Sequence, residues 1–381
     1  MANLFPAGSP WDPYQYANTV IAELRKKLGL ASAVFRGFDK TPSSKGSTIK
    51  IPKPQSFTAQ DMPISTADDL KPGTEDLVVD QHKGVLIGMT DKELTFSREE
   101  VINMHISPAA YAIADAIDQS LAAKIKHVPW YHQAESTAAV KDITQVGKVL
   151  NDNNVPDGMR FLALNNERVA GYQELAVFHQ ANTSADGDQT QRTGELGEKF
   201  GFRIFNNRNI PDYTAGALSP GTQAQLNAAA SKGDTQIVVK DSGGVLTGTA
   251  KEGDTLVIAG HTQRYAVTAD ASAGSNLITL NIYPGLAQDY AENANITFRQ
   301  ESKALNLAAH RDAIALGMAP LDTTAARLGL AVMVTVTDPV TGLAIRLTYW
   351  YDGKESKLYA RVDALWGVKI LDANKAARLE S

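Results

Sequence analysis

Thr235-Gln236-Ile237-Val238-Val239-Lys240 is a short β-branched run set between Gly233-Asp234 and Asp241, and similar runs follow at Thr255 to Ile258, Gln263 to Thr268, Leu277 to Leu280 and Ala294 to Phe298. Runs of this kind, separated by Gly, Asp and Asn, predict short strands with tight turns. Five of them in succession make a small barrel or sandwich over residues 215–299. The sequence on either side is helical or mixed, so the barrel reads as a domain inserted into a host and not as a tandem neighbour. The Ala-rich stretch from Gln223 to Ala230 is expected to be a short helix leading into it, too weakly apolar to act on a membrane.

Upstream lies the strongest helical signal. Ser97 with Glu100 makes a capping box, and Ser107-Pro108 supplies a second cap with proline at the first helical position. Ala110, Ile113, Ala114, Ile117, Leu121 and Ile125 then form one stripe, with Asp115, Asp118, Gln119 and Lys124 largely outside it. Pro129 ends this rod. A second helix, capped by Ser136, carries Val140, Ile143, Val146, Val149 and Leu150 as far as the loop Asn151-Asp152-Asn153-Asn154. Arg160 to Leu164 reads as a buried strand, followed by a helix over Asn166 to Phe178.

Nearer the N-terminus, Pro6, Pro10 and Pro13 mark an extended arm, and Val20, Ile21, Leu24 and Leu28 recur at helical spacing up to Gly29. From Phe38 to about Asp80 the chain is polar, with only Ile49 and Ile51 alternating as in a strand. A second extended stretch, Val85 to Phe96, is expected to return beside the first and close a long hairpin. A segment so poor in apolar residues cannot make its own core, which leaves it disordered or held by something outside the monomer. Downstream of the barrel, Lys303 to Met318 is expected to be helical at least in part. Leu330 to Thr337, Leu343 to Tyr351 and Lys357 to Val362 then make an antiparallel meander, turning at Asp338 to Gly342 and at Asp352-Gly353.

Composition excludes several kinds of chemistry. The 381 residues, 43% of them apolar, suffice for two or three domains with a sizeable core. With Cys 0 there are no disulfides, thiolate nucleophiles or cysteine metal sites, as fits a reducing cytoplasm. A formal net charge of -5 gives no global attraction for nucleic acid. No basic leader opens the chain and no run is apolar enough to span a bilayer, so neither secretion nor a membrane partner is expected.

No glycine-rich turn leads into Gly-Lys-Ser/Thr, and no Gly-x-Gly-x-x-Gly opens a helix. His127 and His132, with Glu135 nearby, straddle Pro129 without the i, i+4 spacing of a zinc site and read as polar loop residues beside Trp130 and Tyr131. His310-Arg311-Asp312 has no Ser or Cys in an elbow motif and would face different ways on a helix, so helix-surface pairing describes it better. Glu99-Glu100, Asp68-Asp69 and Glu75-Asp76 are adjacent pairs, whereas glycosidase or metal chemistry needs carboxylates converging from separate elements. Lys45, Lys50, Lys53 and Lys71 make the long loop mildly basic, with little of the aromatic interleaving of a nucleic-acid binder. The reading therefore assigns no catalytic, cofactor-binding or metal residue and no cofactor, and the protein is not read as an enzyme.

Four runs stand in a familiar order. They are Lys92-Glu93-Leu94-Thr95 before the long helix, Gly194 to Pro211 with its Gly201-Phe202 pair, Asn306 to Ala313 after the insertion, and Arg361 to Asp372. In that order they resemble the major capsid (coat) proteins of tailed bacteriophages, with the Hong Kong 97-type capsid fold, in the subgroup carrying an inserted β-barrel domain. The resemblance implies an α+β shell subunit with this division: an N-terminal arm over 1–40, an extended hairpin loop over 41–96, the spine helix of a peripheral domain over 97–134, an axial domain over 135–214 and 300–329, the barrel over 215–299, and C-terminal strands of both domains over 330–381. It implies non-covalent self-assembly into the hexamers and pentamers of an icosahedral head, with scaffolding, portal and decoration proteins as further partners. Such a head encloses double-stranded DNA without reading its sequence and is assembled in the host cytoplasm. A compartment shell of the encapsulin kind, an enzyme with a scattered site, and a tail or decoration protein stay open as alternatives.

Overall fold

The strands of the barrel form because their apolar residues alternate, and in the computed structural model they pair as that alternation requires. Residues 17–18, 20–22, 24, 29–35, 48–53, 62, 73–90, 107–180, 187–324, 331–337 and 343–381 are described. The fold is α+β and rich in strands. It divides into two compact units, one drawn from Met1–Leu28, Phe35–Ile117 and Ala315–Leu371, the other from Gly29–Val34, Asp118–Ile314 and Asp372–Ser381.

In the second unit the host sheet runs, in spatial order, through Tyr131–Gln133, Ala376–Glu380, Lys303–His310, Arg160–Leu164, Phe202–Asn206 and Gly197–Lys199. Arg160–Leu164 and Ala376–Glu380 are buried at every position, as befits central strands covered on both faces. The helix Val140–Asp152 packs Ile143, Val146 and Leu150 on Leu162, Leu164, Ala308, Ala377 and Leu379. Ser136 does not cap that helix. It begins after Ala139, whose N–H donates to Asp142 Oδ2 at 3.3 Å, so an acid in the first turn reaches back to the residue that opens the helix. Asn166–Gln173 is helical and a further turn spans Ala176–His179, close to the expected extent.

Lys303 to Met318 is not helical. It forms the strands Lys303–His310 and Ile314–Ala319 around a single 3₁₀ turn, Arg311–Ala313. Its apolar residues are buried whichever way they point, so a helical spacing and a strand buried on both faces look alike in sequence. Asp118, expected largely outside the helix stripe, is buried and accepts the N–H groups of Gly29 (2.8 Å) and Ala31 (3.0 Å). It thereby holds the helical turn Leu30–Ala33.

The inserted domain is a six-stranded sheet in the order Ile296–Arg299, Thr255–Ile258, Arg264–Val267, Leu277–Tyr283, Gln236–Asp241, Ala224–Leu226. Bridging between Gln225 and Asn295 joins its two edges into a ring. Ile237, Val239, Ile278, Leu280, Ile282, Leu256, Ile258 and Tyr265 fill the interior, while Gln236, Thr279 and Asn281 face out. Ala224–Leu226 is a strand of this ring and not the expected entry helix, because its backbone completes the ladder beside Gln236–Asp241.

In the first unit the C-terminal meander is present as Val332–Thr337, Ala344–Asp352 and Lys357–Ile370, all antiparallel. The hairpin expectation needs correcting. Thr48–Lys53 pairs with Gly73–Val78, whereas Gln81–Thr90 turns away and runs antiparallel along Lys357–Ile370 from Thr90–Lys357 to Gln81–Trp366. The burial of Met89 against that sheet, together with a ten-residue ladder, outweighs local return to Thr48–Lys53. The arm before residue 17, the hairpin beyond Lys53 apart from Met62, the capping box at Ser97, the run Lys92 to Thr95 and the turn at 338–342 lie outside the described residues. The helix itself is described from Ser107 to Ala123, followed by a 3₁₀ turn to His127.

Candidate functional surfaces

The histidines and acids that resemble catalytic groups have structural partners. His127 ends the 3₁₀ turn and its Nε2 lies 2.6 Å from Glu252 Oε1. Burial, the largest influence on it, lowers its pKa and so favours the neutral ring. His132 sits apart on the strand Tyr131–Gln133, 3.8 Å from Asp142, and its pKa is likewise lowered chiefly by burial. Glu135 is exposed and pairs with Lys141 at 3.2 Å. Among the described residues no group of three or more His, Asp or Glu converges as a metal site would require. His310 closes a strand, where its Nδ1 accepts the N–H of Asp312 at 3.2 Å and caps the 3₁₀ turn. That correction removes the adjacency on a helix on which a dyad reading would depend.

Of the carboxylate pairs, Asp68-Asp69 and Glu99-Glu100 lie outside the described residues, and Glu75-Asp76 belongs to the base of the hairpin. This base is the most distinctive surface of the first unit. Ile51 and Leu77, from its two strands, are buried with Ala315, and Ile49 and Leu371 pack against them. Lys369 Nζ reaches Glu75 Oε2 at 2.7 Å and the Asp76 carbonyl oxygen at 3.0 Å. Two glycines make room. A Cβ on Gly367 would stand 2.0 Å from Val78 O, and one on Gly317 would stand 2.5 Å from Leu77 Cδ2. The base of the polar hairpin is thus held by its own chain, where the sequence reading left the segment disordered or held by something outside the monomer. Sequence reading missed this seat. Its signal, glycine inside two strands, was hidden because Gly317 falls in the stretch expected to be helical and Gly367 beyond the expected strand Lys357 to Val362.

The wet face of the same unit's sheet carries a buried carboxylate. Asp363 accepts Arg346 Nε (3.1 Å) and Nη2 (2.6 Å), and His82 Nε2 lies 3.1 Å away. Beside it Trp350 stacks on Tyr359 with ring centroids 5.5 Å apart, under Arg361. In the second unit an open groove of about 580 Å³ lies between the turns at Met159 and Phe200, with Arg160, Arg203 and Arg311 along it. Arg160 is engaged by Asn151, Val155 and Pro156, which makes it a structural brace.

Comparison with known proteins yields one family and several structures. Residues 219–300 match the family described as the B domain of the distal tail protein pb9. No curated protein matches the sequence. Among solved structures the chain is similar to one from Mycobacterium phage Che8, at 14% identity over 92% of this chain and 90% of that one, with a TM-score of 0.49. It is similar to the capsid of the cyanophage P-SCSP1u, at 10% identity over 91% and 86% with a TM-score of 0.47. A virus-like particle from Pyrococcus furiosus is similar at 8% identity over 96% and 98%, with a TM-score of 0.41.

Proposed function

We propose that this chain is the repeating subunit of a closed icosahedral shell, the major capsid protein of a tailed phage. The observation that carries the reading is the order of the sequence signatures and the elements on which they fall. Gly194 to Pro211 spans an edge hairpin and the strand Phe202–Asn206 of the host sheet, Asn306 to Ala313 spans its central strand, and Arg361 to Asp372 spans most of the long meander strand. A barrel sits between the first two, as the subgroup with an inserted domain requires. The hairpin, seated at its base and polar beyond it, is suited to lie on a neighbouring copy, where added buried area offsets the entropy of ordering it.

Repeated, individually weak, non-covalent contacts let such subunits add reversibly into hexamers and pentamers. The head would form in the host cytoplasm with scaffolding, portal and decoration partners, and its net acidity would limit adhesion to the double-stranded DNA inside. No catalytic step belongs to this role. The barrel's likeness to a tail protein's domain covers residues 219–300 alone and leaves the long helix and meander unaccounted for in a tail or decoration protein.

Electron microscopy with sedimentation, on the protein expressed alone and with a scaffolding partner, tests the proposal. Closed particles of uniform diameter are expected. A chain that stays monomeric under every condition overturns it, and particles that form only around a protein cargo move the reading to a compartment shell. Excision of residues 56–72, which keeps the hairpin base, is expected to leave a folded chain that sediments as free subunits.

A further inference from the structure

The barrel meets the sheet that hosts it through charged and aromatic groups that belong to neither apolar core. Tyr131, on an edge strand of the host, has Arg264 Cζ at 4.1 Å and Arg299 Cζ at 3.9 Å from its ring centroid. Two guanidinium groups at that height cannot share one face of a six-membered ring without overlapping, so they sandwich it. Both arginines come from barrel strands, Arg264–Val267 and Ile296–Arg299. Each is tied down a second time on the host. Arg264 Nη1 donates to the Tyr131 carbonyl oxygen at 3.1 Å, and Arg299 Nη1 donates to the Glu380 carboxylate.

Three further contacts surround the sandwich. Arg378, fully buried in the host sheet, donates Nη1 to Gly253 O at 2.9 Å, in the turn before the barrel strand Thr255–Ile258. Tyr213 on the host donates its hydroxyl to Asp254, whose carboxylate also accepts Gln300 Nε2 at 2.7 Å and the Lys251 N–H at 2.8 Å. His127 meets Glu252 in the same turn. A barrel merely tethered by its two connecting strands would not need Arg378, Tyr213 and Asp254 buried at the joint.

We infer that the barrel is locked in one orientation on its host by the Arg264–Tyr131–Arg299 sandwich, with Tyr131 as the positioning residue. The ring is what both cations grip, and its hydroxyl is not part of the grip. The barrel fills its own interior, so loss of the sandwich frees the domain without emptying its core. A fixed angle lets every copy present the outward strand residues, such as Thr279 and Asn281, in the same direction. The use of that constancy in a symmetric shell rests on the proposed function, whereas the lock itself rests on the joint.

Because the chain has Cys 0, a Thr279→Cys substitution on the exposed outer face of the barrel places a single fluorophore. Time-resolved anisotropy of the unassembled full-length chain then separates tumbling of the whole chain from swivelling of the barrel. In the parent and in Tyr131→Phe the slow component is expected to dominate. In Tyr131→Leu it is expected to lose the larger part of its amplitude to a faster component, with the barrel's hydrogen-exchange protection retained. Unchanged anisotropy in Tyr131→Leu overturns the inference, as does the same freedom in Tyr131→Phe. Should Tyr131→Leu lose barrel protection, Arg264→Gln with Arg299→Gln applies the same test from the other side of the joint, and unchanged anisotropy there overturns the lock equally. Particle formation by the parent protein is scored separately and bears only on the shell reading.

Discussion

The barrel and the hairpin are both built of short antiparallel strands, but one brings its core with it and the other borrows one. Ile237, Val239, Ile278, Leu280 and Ile282 close on one another inside a ring whose edges join at Gln225 and Asn295. The hairpin buries Ile51 and Leu77 only by setting them on Ala315. Independence in a β element thus depends on how many inward side chains it can gather for itself. The largest test of that contrast is Leu280→Ala. Deleting this fully buried side chain should cost about 2–5 kcal/mol. If the barrel is an independent unit, hydrogen exchange will lose protection in the barrel strands and keep it in Arg160–Leu164 and Ala376–Glu380. Uniform loss across both would show a single cooperative core.

A smaller effect is expected where the hairpin borrows. The Cβ of Gly367→Ala would fall 2.0 Å from a backbone oxygen, so the hairpin base must lift, at a cost of about 1–3 kcal/mol for overpacking. Protease cleavage after Lys50 should accelerate while the barrel's exchange pattern stays unchanged, and on the proposed function particle yield should fall sharply. Within the barrel, Asp241 should impart an acid sensitivity of its own. Its carboxylate accepts the N–H groups of Thr222, Gln223, Gly243 and Gly244, and these backbone hydrogen bonds, led by Thr222, lower its pKa. A folded pKa below the unfolded value stabilises the fold above the ordinary carboxylate range, and that contribution is lost as pH falls through the folded pKa. Asp241→Asn should therefore lower the barrel's melting point at pH 7 and flatten its decline below pH 4, as followed by exchange or calorimetry in a pH series.

The same contrast explains what could be read in the sequence. Strands such as Gln236–Asp241 and Leu277–Tyr283 alternate strictly between the barrel interior and water, and a period of two is visible residue by residue. Lys303–His310 is central in the host sheet, so its run of Leu305, Leu307, Ala308 and Ala309 has no polar face to fix the period, and a helix was expected. Pairing was less legible still. Nothing local in Val85-Leu86-Ile87 says that its partner is Ala360 to Val362, more than two hundred residues away, and not the nearer Ile49-Lys50-Ile51. The joint was invisible for a related reason. Tyr131, Arg264, Arg299 and Arg378 come from four separate segments, and each alone is an ordinary surface type. Gly317 and Gly367 mark a close approach only once their strands are known, since Gly317 falls in the stretch expected to be helical and Gly367 lies beyond the strand expected over Lys357 to Val362.

The seat of the hairpin combines shape with charge, and the two should differ in weight. Lys369 and Glu75 approach to 2.7 Å, but each side chain keeps about a third of its surface in water, at 32% and 35%. Exposed pairs of this kind contribute about 0.2–1 kcal/mol, because solvent screens the attraction and two long side chains must be immobilised. Lys369 has a further role that screening affects less, its hydrogen bond to the Asp76 carbonyl oxygen. Lys369→Ala should therefore weaken the seat only slightly, well below Gly367→Ala, and Lys369→Gln should recover part of the loss by keeping a donor. Raising the salt concentration should change the parent little beyond what Glu75→Gln already does. If Lys369→Ala instead exposes the hairpin to protease as fully as Gly367→Ala, the base is held by charge more than by fit, and the contrast between a barrel that packs itself and a hairpin seated by shape fails at the hairpin.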